Sequence, residues 1–168
     1  MEILQFGEPR LREKTTEVKI FKRGLHETVD LMKDFLEKAD NAAAVAANQL
    51  GIMKSISVID YVGEYLEIIN PVIIASEGEQ RKSEGCLSLP GYWGEVPRAQ
   101  TVTVRYQDRF GETHEITRSG KMAVCLQHEI DHLNGILFID HMEEPVVENP
   151  SSGKELSVIE LKLLTLPK

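Results

Sequence analysis

The sequence predicts an α+β fold in which a central, metal-bearing helix is surrounded by mainly antiparallel β-sheets. Three observations favour this class. They are an amphipathic helix near the N-terminus, several isoleucine- and valine-rich segments bounded by turn residues, and a largely apolar helix in the last third that carries two histidines. At 168 residues, the chain can form one domain, residues 1–168, with a sizeable core.

Composition and charge narrow the classes of function. The formal net charge of −8 and pI near 5.2 argue against general affinity for nucleic acid or acidic membranes, so we expect no direct DNA binding. No apolar run approaches the roughly 18 residues that span a bilayer, and the N-terminus lacks the pattern of a secretory signal. Two cysteines are too few for a disulfide scaffold. We therefore expect a cytoplasmic protein that does not associate with membranes.

The first half of the chain predicts one helix and two strands. Residues 1–19 are interpreted as an extended entry segment. Residues 41–52, "NAAAVAANQLGI", are small and nearly uncharged, which indicates tight packing against another backbone. The segments "SISVID" (55–60) and "YLEIINPVIIA" (65–75) are typical of strands. Between the entry segment and residue 40, helical spacing indicates an amphipathic helix whose apolar positions are Leu25, Val29, Met32, Phe35, Leu36 and Ala39.

The second half predicts a hairpin followed by the central helix. "TVTVRY" (101–106) alternates as a half-buried strand does, and "THEIT" (113–117) is expected to return beside it after a turn. The central helix is expected to begin near Ser119 and to stop at Asn134 and Gly135, because glycine commonly ends a helix.

The C-terminal residues are less regular. "ILFID" (136–140) predicts another short strand, and "HMEEPVVENPSSGK" (141–154) is interpreted as a loop because it is acidic and contains prolines. The segment "ELSVIELKLLTL" (155–166) fits neither helical nor strand periodicity. Residues 143–168 are therefore left as an unassigned tail.

The central helix carries a His-Glu-x-x-His motif within "VCLQHEIDHLNG". Residues four apart lie on one helix face about one turn apart, so His128 and His132 can direct ring nitrogens at one ion. Glu129 lies about 100° round the helix and can reach a bound water without becoming a ligand. Two surface histidines are the alternative. Apolar neighbours disfavour it, because unpaired buried histidines are costly.

A catalytic metal site needs a third protein ligand and an open position. Cys125 shares a face with His128 but lies about 10 Å along the axis from His132, so we interpret it as a wall residue. Cys86 lies between a glycine and a Pro–Gly turn, which is typical of a loop or strand end that presents a thiolate. We favour Cys86 as the third ligand, with a packed core cysteine as the alternative.

Three separated stretches resemble the signature motifs of the peptide deformylase family: "AAAVAANQ" (42–49), "EGCLS" (84–88) and "QHEIDHL" (127–133). The resemblance covers most of residues 1–142 and leaves the tail unmatched. The second and third motifs are intact. The first departs from the family's G-x-G-x-A-A-x-Q pattern, because Ala42 and Ala44 stand at the glycine positions. Each alanine adds a methyl group and disfavours positive φ compared with glycine, so the fit of a substrate along this segment would change.

The resemblance implies a metal-dependent amidase that removes the formyl group from N-terminal N-formylmethionine and releases formate. Its partners would be N-formylmethionyl peptides and nascent chains at the ribosome. The Gln49 amide and the Leu87 backbone N–H would stabilise the developing negative oxygen, and Glu129 would carry a proton from water to the departing amine. The cofactor would be one divalent ion, Fe²⁺ in cells with Zn²⁺, Ni²⁺ or Co²⁺ possible after purification, held by Cys86, His128 and His132.

The resemblance also implies a cleft in which the peptide lies extended against protein backbone. Lys82 and Lys121 stand where several relatives carry apolar rim residues, so they would make the entrance more polar or simply point outward. Glu84 and Arg98 match a family pair that forms a buried ion bridge. The substrate-binding positions that match the family are Ala44, Val45, Gly85, Val124 and Cys125.

Other functions stay open at this stage. An ordinary zinc peptidase with this motif usually takes a third ligand downstream, where His141 and Glu143 are available. A non-catalytic relative that grips nascent chains is favoured only by the alanines in the first motif. A purely structural metal site normally closes with four protein ligands, and the sequence offers three good ones.

Overall fold

The computed structural model describes residues 1–167 and contains two antiparallel sheets, one of five strands and one of four. Short 3-10 helices lie at Pro9–Arg12, Ala47–Leu50 and Phe138–His141. The predicted α+β class with mainly antiparallel sheets is confirmed. In chain order the elements are α1 (Arg23–Lys38), β1 (Ala44–Ala46), β2 (Ile56–Tyr61), β3 (Glu64–Glu77), β4 (Gln80–Cys86), β5 (Leu89–Arg98), β6 (Thr101–Gln107), β7 (Thr113–Ser119), α2 (Gly120–Leu133), β8 (Val146–Glu148), β9 (Glu155–Ser157) and α3 (Val158–Thr165). The five-stranded sheet has the strand order β1-β2-β3-β6-β7, and the four-stranded sheet has the order β4-β5-β8-β9.

The N-terminal helix α1 forms as predicted and supports the segment that follows it. Its buried residues recur every three or four positions, so they form one apolar stripe. This stripe packs in one core cluster with Val45, Ala47 and Leu50, which come from β1 and the 3-10 helix after it. The packing of this stripe therefore holds β1 and the 3-10 helix in position on their α1 side. The residues of the stripe are Leu25, Val29, Met32 and Leu36.

The central helix α2 lies between the two sheets. Its first helical residue follows Ser119, and it ends at Leu133 before Gly135, as predicted. One side of α2 packs against the five-stranded sheet through Ala123, Leu126 and Ile130. The other side faces β4, since His128 and His132 contact residues of that strand. Among residues 1–167, the helices are all too short or too polar to cross a membrane.

The β4–β5 hairpin places Cys86 at a strand end. Gly85 pairs with Trp93, and Cys86 with Leu89, where the register shifts. The chain turns directly after Cys86, so its side chain projects at the end of the sheet toward α2. The sequence indicated a loop or strand end here but did not predict the hairpin, because β4 is polar and β5 contains glycines and prolines.

Two predictions for the C-terminal region are wrong. Residues 136–140 do not form a strand, and Phe138–His141 is a 3-10 helix. Three consecutive residues are almost completely buried here, Leu137, Phe138 and Ile139, whereas a half-buried strand would alternate buried and exposed side chains. The Asp140 carboxylate accepts a hydrogen bond from the Leu137 N–H, which closes the turn. The predicted loop 141–154 contains β8, which pairs with both β5 and β9.

Arg12 ties the N-terminal segment to the C-terminal tail. Its guanidinium donates five hydrogen bonds of 2.6–3.2 Å, to both Asp140 carboxylate oxygens, the carbonyls of Gly135 and Thr165, and the Thr165 hydroxyl. A guanidinium has five N–H donors, so all of them are used. The tail that sequence analysis left unassigned forms β8, β9 and α3, and Arg12 joins its last helix to the N-terminal segment.

We expect Gly135→Ala to destabilise the protein strongly. Gly135 has φ of +74°, and an added Cβ would overlap the carbonyl oxygen of Arg12. The left-handed conformation alone costs ~1–2 kcal/mol for a non-glycine residue, and overpacking adds ~1–3 kcal/mol. Gly153→Ala is the matched control, because Gly153 has φ of +71° with no atom within 4 Å of the added Cβ. Urea unfolding should show the larger loss for Gly135→Ala, and equal losses would contradict the steric argument.

Candidate metal centre and active site

One thiol and two imidazoles converge between β4 and α2. The Cys86 Sγ lies 3.3 Å from His132 Nε2, which lies 3.1 Å from His128 Nε2. All three ligand atoms lie within 4.8 Å of one another. Ring nitrogens this close repel unless a proton or cation lies between them. A thiolate with two imidazoles is a donor set that suits zinc or iron, so these residues fit a divalent transition-metal ion.

A buried charge network lies behind this cluster. Glu84 accepts a hydrogen bond from His128 Nδ1 at 2.8 Å, which leaves Nε2 free to face Cys86. Arg98 donates to both Glu84 oxygens at 2.8 and 2.9 Å and to Asp131 at 2.5 Å. The Asp131 carboxylate in turn lies 2.8 Å from His141 Nε2. Such partners behind a ligand fix its orientation and tautomer.

Burial and neighbouring charge set the protonation of the two histidines. Burial, with the charge of His128, holds the pKa of His132 well below its ordinary value. Burial also opposes the charged form of His128, but hydrogen bonds to Cys86 and Glu84 outweigh it and raise that pKa well above its ordinary value. The two rings therefore do not both carry a charge, and the positive charge lies on His128.

Glu129 is almost completely buried beside the cluster. Burial raises the pKa of its carboxyl group, which makes this carboxylate a stronger proton acceptor than an exposed glutamate. Its Oε2 lies 3.1 Å from the Ser57 hydroxyl, which also lies 2.9 Å from the Val45 carbonyl oxygen. Sequence analysis missed Ser57. The available signal was a serine between the apolar residues Ile56 and Val58 of the predicted strand.

Gln49 presents its amide N–H group toward Cys86. Its Oε1 accepts the Ala46 N–H at 2.9 Å, and because a backbone N–H can only donate, the opposite amide atom is the nitrogen. That nitrogen lies 3.7 Å from Cys86 Sγ and 3.1 Å from the Ser88 hydroxyl. Leu87 follows Cys86 in the turn and also faces the cavity. Sequence analysis assigned no role to Ser88.

A cavity of about 500 Å³ opens onto the cluster. Lys82 and Lys121 line it, as does Ala43, which sequence analysis did not single out. Val45 lies apart from it, because its side chain is fully buried in the core under α1. The predicted site residues that do line the cavity are Ala44, Gln49, Gly85, Cys86, Leu87, Val124, Cys125, His128 and Glu129.

The alanines of the first motif are accommodated without backbone strain. Asn41, Val62 and Asn70 are the non-glycine positions at positive φ among residues 1–167, so Ala42 and Ala44 lie outside that group.

Cys125 forms part of the cavity wall, and burial raises its thiol pKa well above the ordinary value. A thiol that stays protonated is a poor metal ligand.

Known proteins match most of this chain. The family model of polypeptide deformylase matches residues 1–148. A peptide deformylase of Heliobacterium modesticaldum is 46% identical over 149 residues, which cover 89% of this chain and 96% of that relative. One of Desulfitobacterium hafniense is 48% identical over 139 residues, which cover 83% and 92%.

Solved structures agree with the sequence comparisons. The crystal structure of a peptide deformylase from Legionella pneumophila has a TM-score of 0.81 and 44% identity, covering 84% of this chain and 85% of that one. The peptide deformylase from Thermotoga maritima has a TM-score of 0.82 and 35% identity, covering 85% and 97%. With a matching fold, a family model that spans residues 1–148 and relatives identical at nearly half of their aligned positions, this chain belongs to the polypeptide deformylase family.

Proposed function

We propose that this chain removes the formyl group from the N-terminal N-formylmethionine of nascent polypeptides and releases formate. The observation that carries the proposal is the convergence, at one cavity, of the Cys86–His128–His132 cluster, the Glu129 carboxyl group and the Gln49 amide. The family and the named relatives support the same reaction. We also propose that residues 1–168 act as one catalytic domain, which is supported by the pairing of β8 with β5.

Cys86, His128 and His132 would hold one divalent ion, with Fe²⁺ as the cellular metal and Zn²⁺, Ni²⁺ or Co²⁺ as substitutes after purification. The donor set and the short distances between ligand atoms support a metal but do not select among these ions. When bound, the ion supplies Lewis-acid activation of water and of the formyl oxygen. Glu84 and Arg98 would keep the His128 ring turned so that its Nε2 faces the ion.

The remaining chemistry is assigned to protein groups. Water adds to the formyl carbon, the C–N bond breaks, and formate and a free amine result. The Gln49 Nε2 and the Leu87 backbone N–H would donate hydrogen bonds to the formyl oxygen as negative charge develops there. Glu129 would take a proton from the water and return it to the amine nitrogen. The Ser57 contact supports this role, because it holds the buried carboxyl group in place.

The substrate is proposed to lie extended between β1 and the end of β4, where Ala44 and Gly85 offer backbone. Val124 and Cys125 would contact the first side chain on the α2 side of the cavity. Nascent chains carrying the formyl group arise at the ribosome, so we propose that the protein works there, in the cytoplasm.

An ordinary zinc peptidase would need a third metal ligand downstream of the helix, and the two candidate residues have other partners. His141, one downstream residue available for that role, contacts Asp131 instead. The other, Glu143, pairs with Arg81 at 2.8 Å on the surface. Neither joins the cluster of Cys86 and the two helix histidines.

An anaerobic assay on formylated and unformylated Met-Ala-Ser tests the reaction. We expect one formate and one free amine per turnover from the formylated peptide, with the internal peptide bonds intact. Metal analysis of the same sample identifies the bound ion. Internal cleavage without formate release would reject the deformylase assignment.

We expect Glu129→Ala to keep its metal and lose about 10²–10⁴-fold in turnover, because it removes the proton carrier but no ligand. Single-turnover rates and metal content measured on one sample check both statements. Glu37→Ala is the control, since Glu37 is an exposed carboxylate of α1. Full activity in Glu129→Ala would remove this residue from the mechanism.

Cys86→Ala should lose metal far more readily than Cys125→Ala. The two variants remove the same thiol group, but Cys86 Sγ lies within the ligand cluster, whereas Cys125 is a wall residue. Metal content after gel filtration, measured by mass spectrometry, compares them directly. Equal metal loss in the two variants would contradict the proposed ligand set.

A further inference from the structure

Two lysines stand in the wall of the cavity that opens onto the ligand cluster. Lys82 belongs to β4 and Lys121 to the first turn of α2. Both residues are exposed and both line the cavity, so they lie at its rim. Neither has a role in the chemistry described above.

The chain places both lysines at the same end of the cavity. On α2, Lys121 shares a face with Cys125 and His128 and precedes His128 by seven residues, or about 10 Å. On β4, Lys82 shares a face with Cys86 because side chains alternate along a strand, and lies about 13 Å from it along the strand. The two residues therefore lie at the end of the cavity farther from the ligand atoms.

These two charges are available to a ligand. Among residues 1–167, no carboxylate oxygen lies within 4.0 Å of either ammonium group. Of the carboxylates that line the cavity, Glu84 is paired with Arg98 and Glu129 is buried beside Ser57. The third, Asp40, is exposed on the segment before β1.

The local charge is opposite to that of the whole protein. The chain carries a formal net charge of −8, so its overall field repels acidic peptides. Selection of an acidic peptide would therefore need a local source of positive charge. The two unpaired lysines supply positive charge at the rim of the cavity. Solvent screening makes the energy of each charge contact small there, but the contacts still favour acidic over basic peptides.

We propose that Lys82 and Lys121 make this site selective for formylated chains with an acidic side chain at the third residue, which in an extended peptide lies on the same side as the first and therefore faces α2. The proposal rests on the deformylase function, which places the formyl group at the ligand cluster. An extended peptide covers about 3.3 Å per residue, so its third residue lies about 7–10 Å from the formyl group. Lysine side chains, which are long and flexible, reach that region.

Three C-terminally amidated peptides test the proposal: formyl-Met-Ala-Glu, formyl-Met-Ala-Gln and formyl-Met-Ala-Lys. At low ionic strength, we expect kcat/KM for the glutamate peptide to exceed that for its glutamine isostere by about three- to tenfold, mainly through KM. The lysine peptide should be the poorest of the three. At 1 M salt, where the Debye length is about 3 Å, the ratios should approach one.

Variants separate the local charges from the overall charge. Lys82→Gln/Lys121→Gln should bring the glutamate-to-glutamine ratio close to one, and Lys82→Glu/Lys121→Glu should reverse the order of the glutamate and lysine peptides. Lys19→Gln/Lys54→Gln is the matched control, because it removes two exposed lysines that do not line the cavity. It should keep the ratio of the parent protein.

The possible outcomes distinguish failure of this proposal from failure of the deformylase function on which it rests. Equal kcat/KM for the three peptides, or an order that the charge-reversed variant leaves unchanged, would overturn the role of the lysines and leave deformylation intact. A ratio that falls equally in the control variant would also overturn it, since only overall charge would matter. Failure to turn over any formylated peptide would overturn the function and this proposal together.

Discussion

The buried ion pair between Glu84 and Arg98 is the contact on which the site depends. Both side chains are about 95% buried, and the guanidinium binds both carboxylate oxygens. Glu84 lies two residues before Cys86 and also orients His128, so one carboxylate sets the relation between β4 and α2. Removing either partner would leave a buried charge, at a cost of ~3–5 kcal/mol. The pair therefore keeps the four-stranded sheet and α2 in the arrangement that brings the ligand atoms together.

The predictable parts of the fold and site depend on short-range patterns. The stripe of α1, the alternation of β6 and the one-turn spacing of His128 and His132 are properties of neighbouring residues, so periodicity was enough to find them. Cys86 was favoured because Gly85 frees the backbone before it, Pro90 and Gly91 turn the chain after it, and the two histidines need a third ligand. Composition also indicated how the segment around Gln49 packs, since small uncharged side chains allow close approach.

The parts that sequence analysis missed depend on distant partners. β8 exists because Val146–Glu148 completes a sheet with β5 and β9, and its own residues carry no clear strand pattern. The 3-10 helix at Phe138–His141 replaces the expected strand because Asp140 bonds the preceding turn and Arg12. Ser57 gains its position beside Glu129 from the packing of β2 against α2, which no local pattern encodes.

The five bonds of Arg12 also place a condition on how the protein acquires its structure during synthesis. Arg12 reaches Thr165, which lies 153 residues later in the chain. At ~5–20 residues added per second, that partner follows by about 8–30 s. The residues proposed to bind metal are all translated before Thr165. The contact that joins the N-terminal and C-terminal segments can therefore form only after those residues have been synthesised. Until Thr165 has emerged, the guanidinium can make at most three of its five bonds, those to Gly135 and Asp140. The N-terminal segment can therefore dock fully only afterwards.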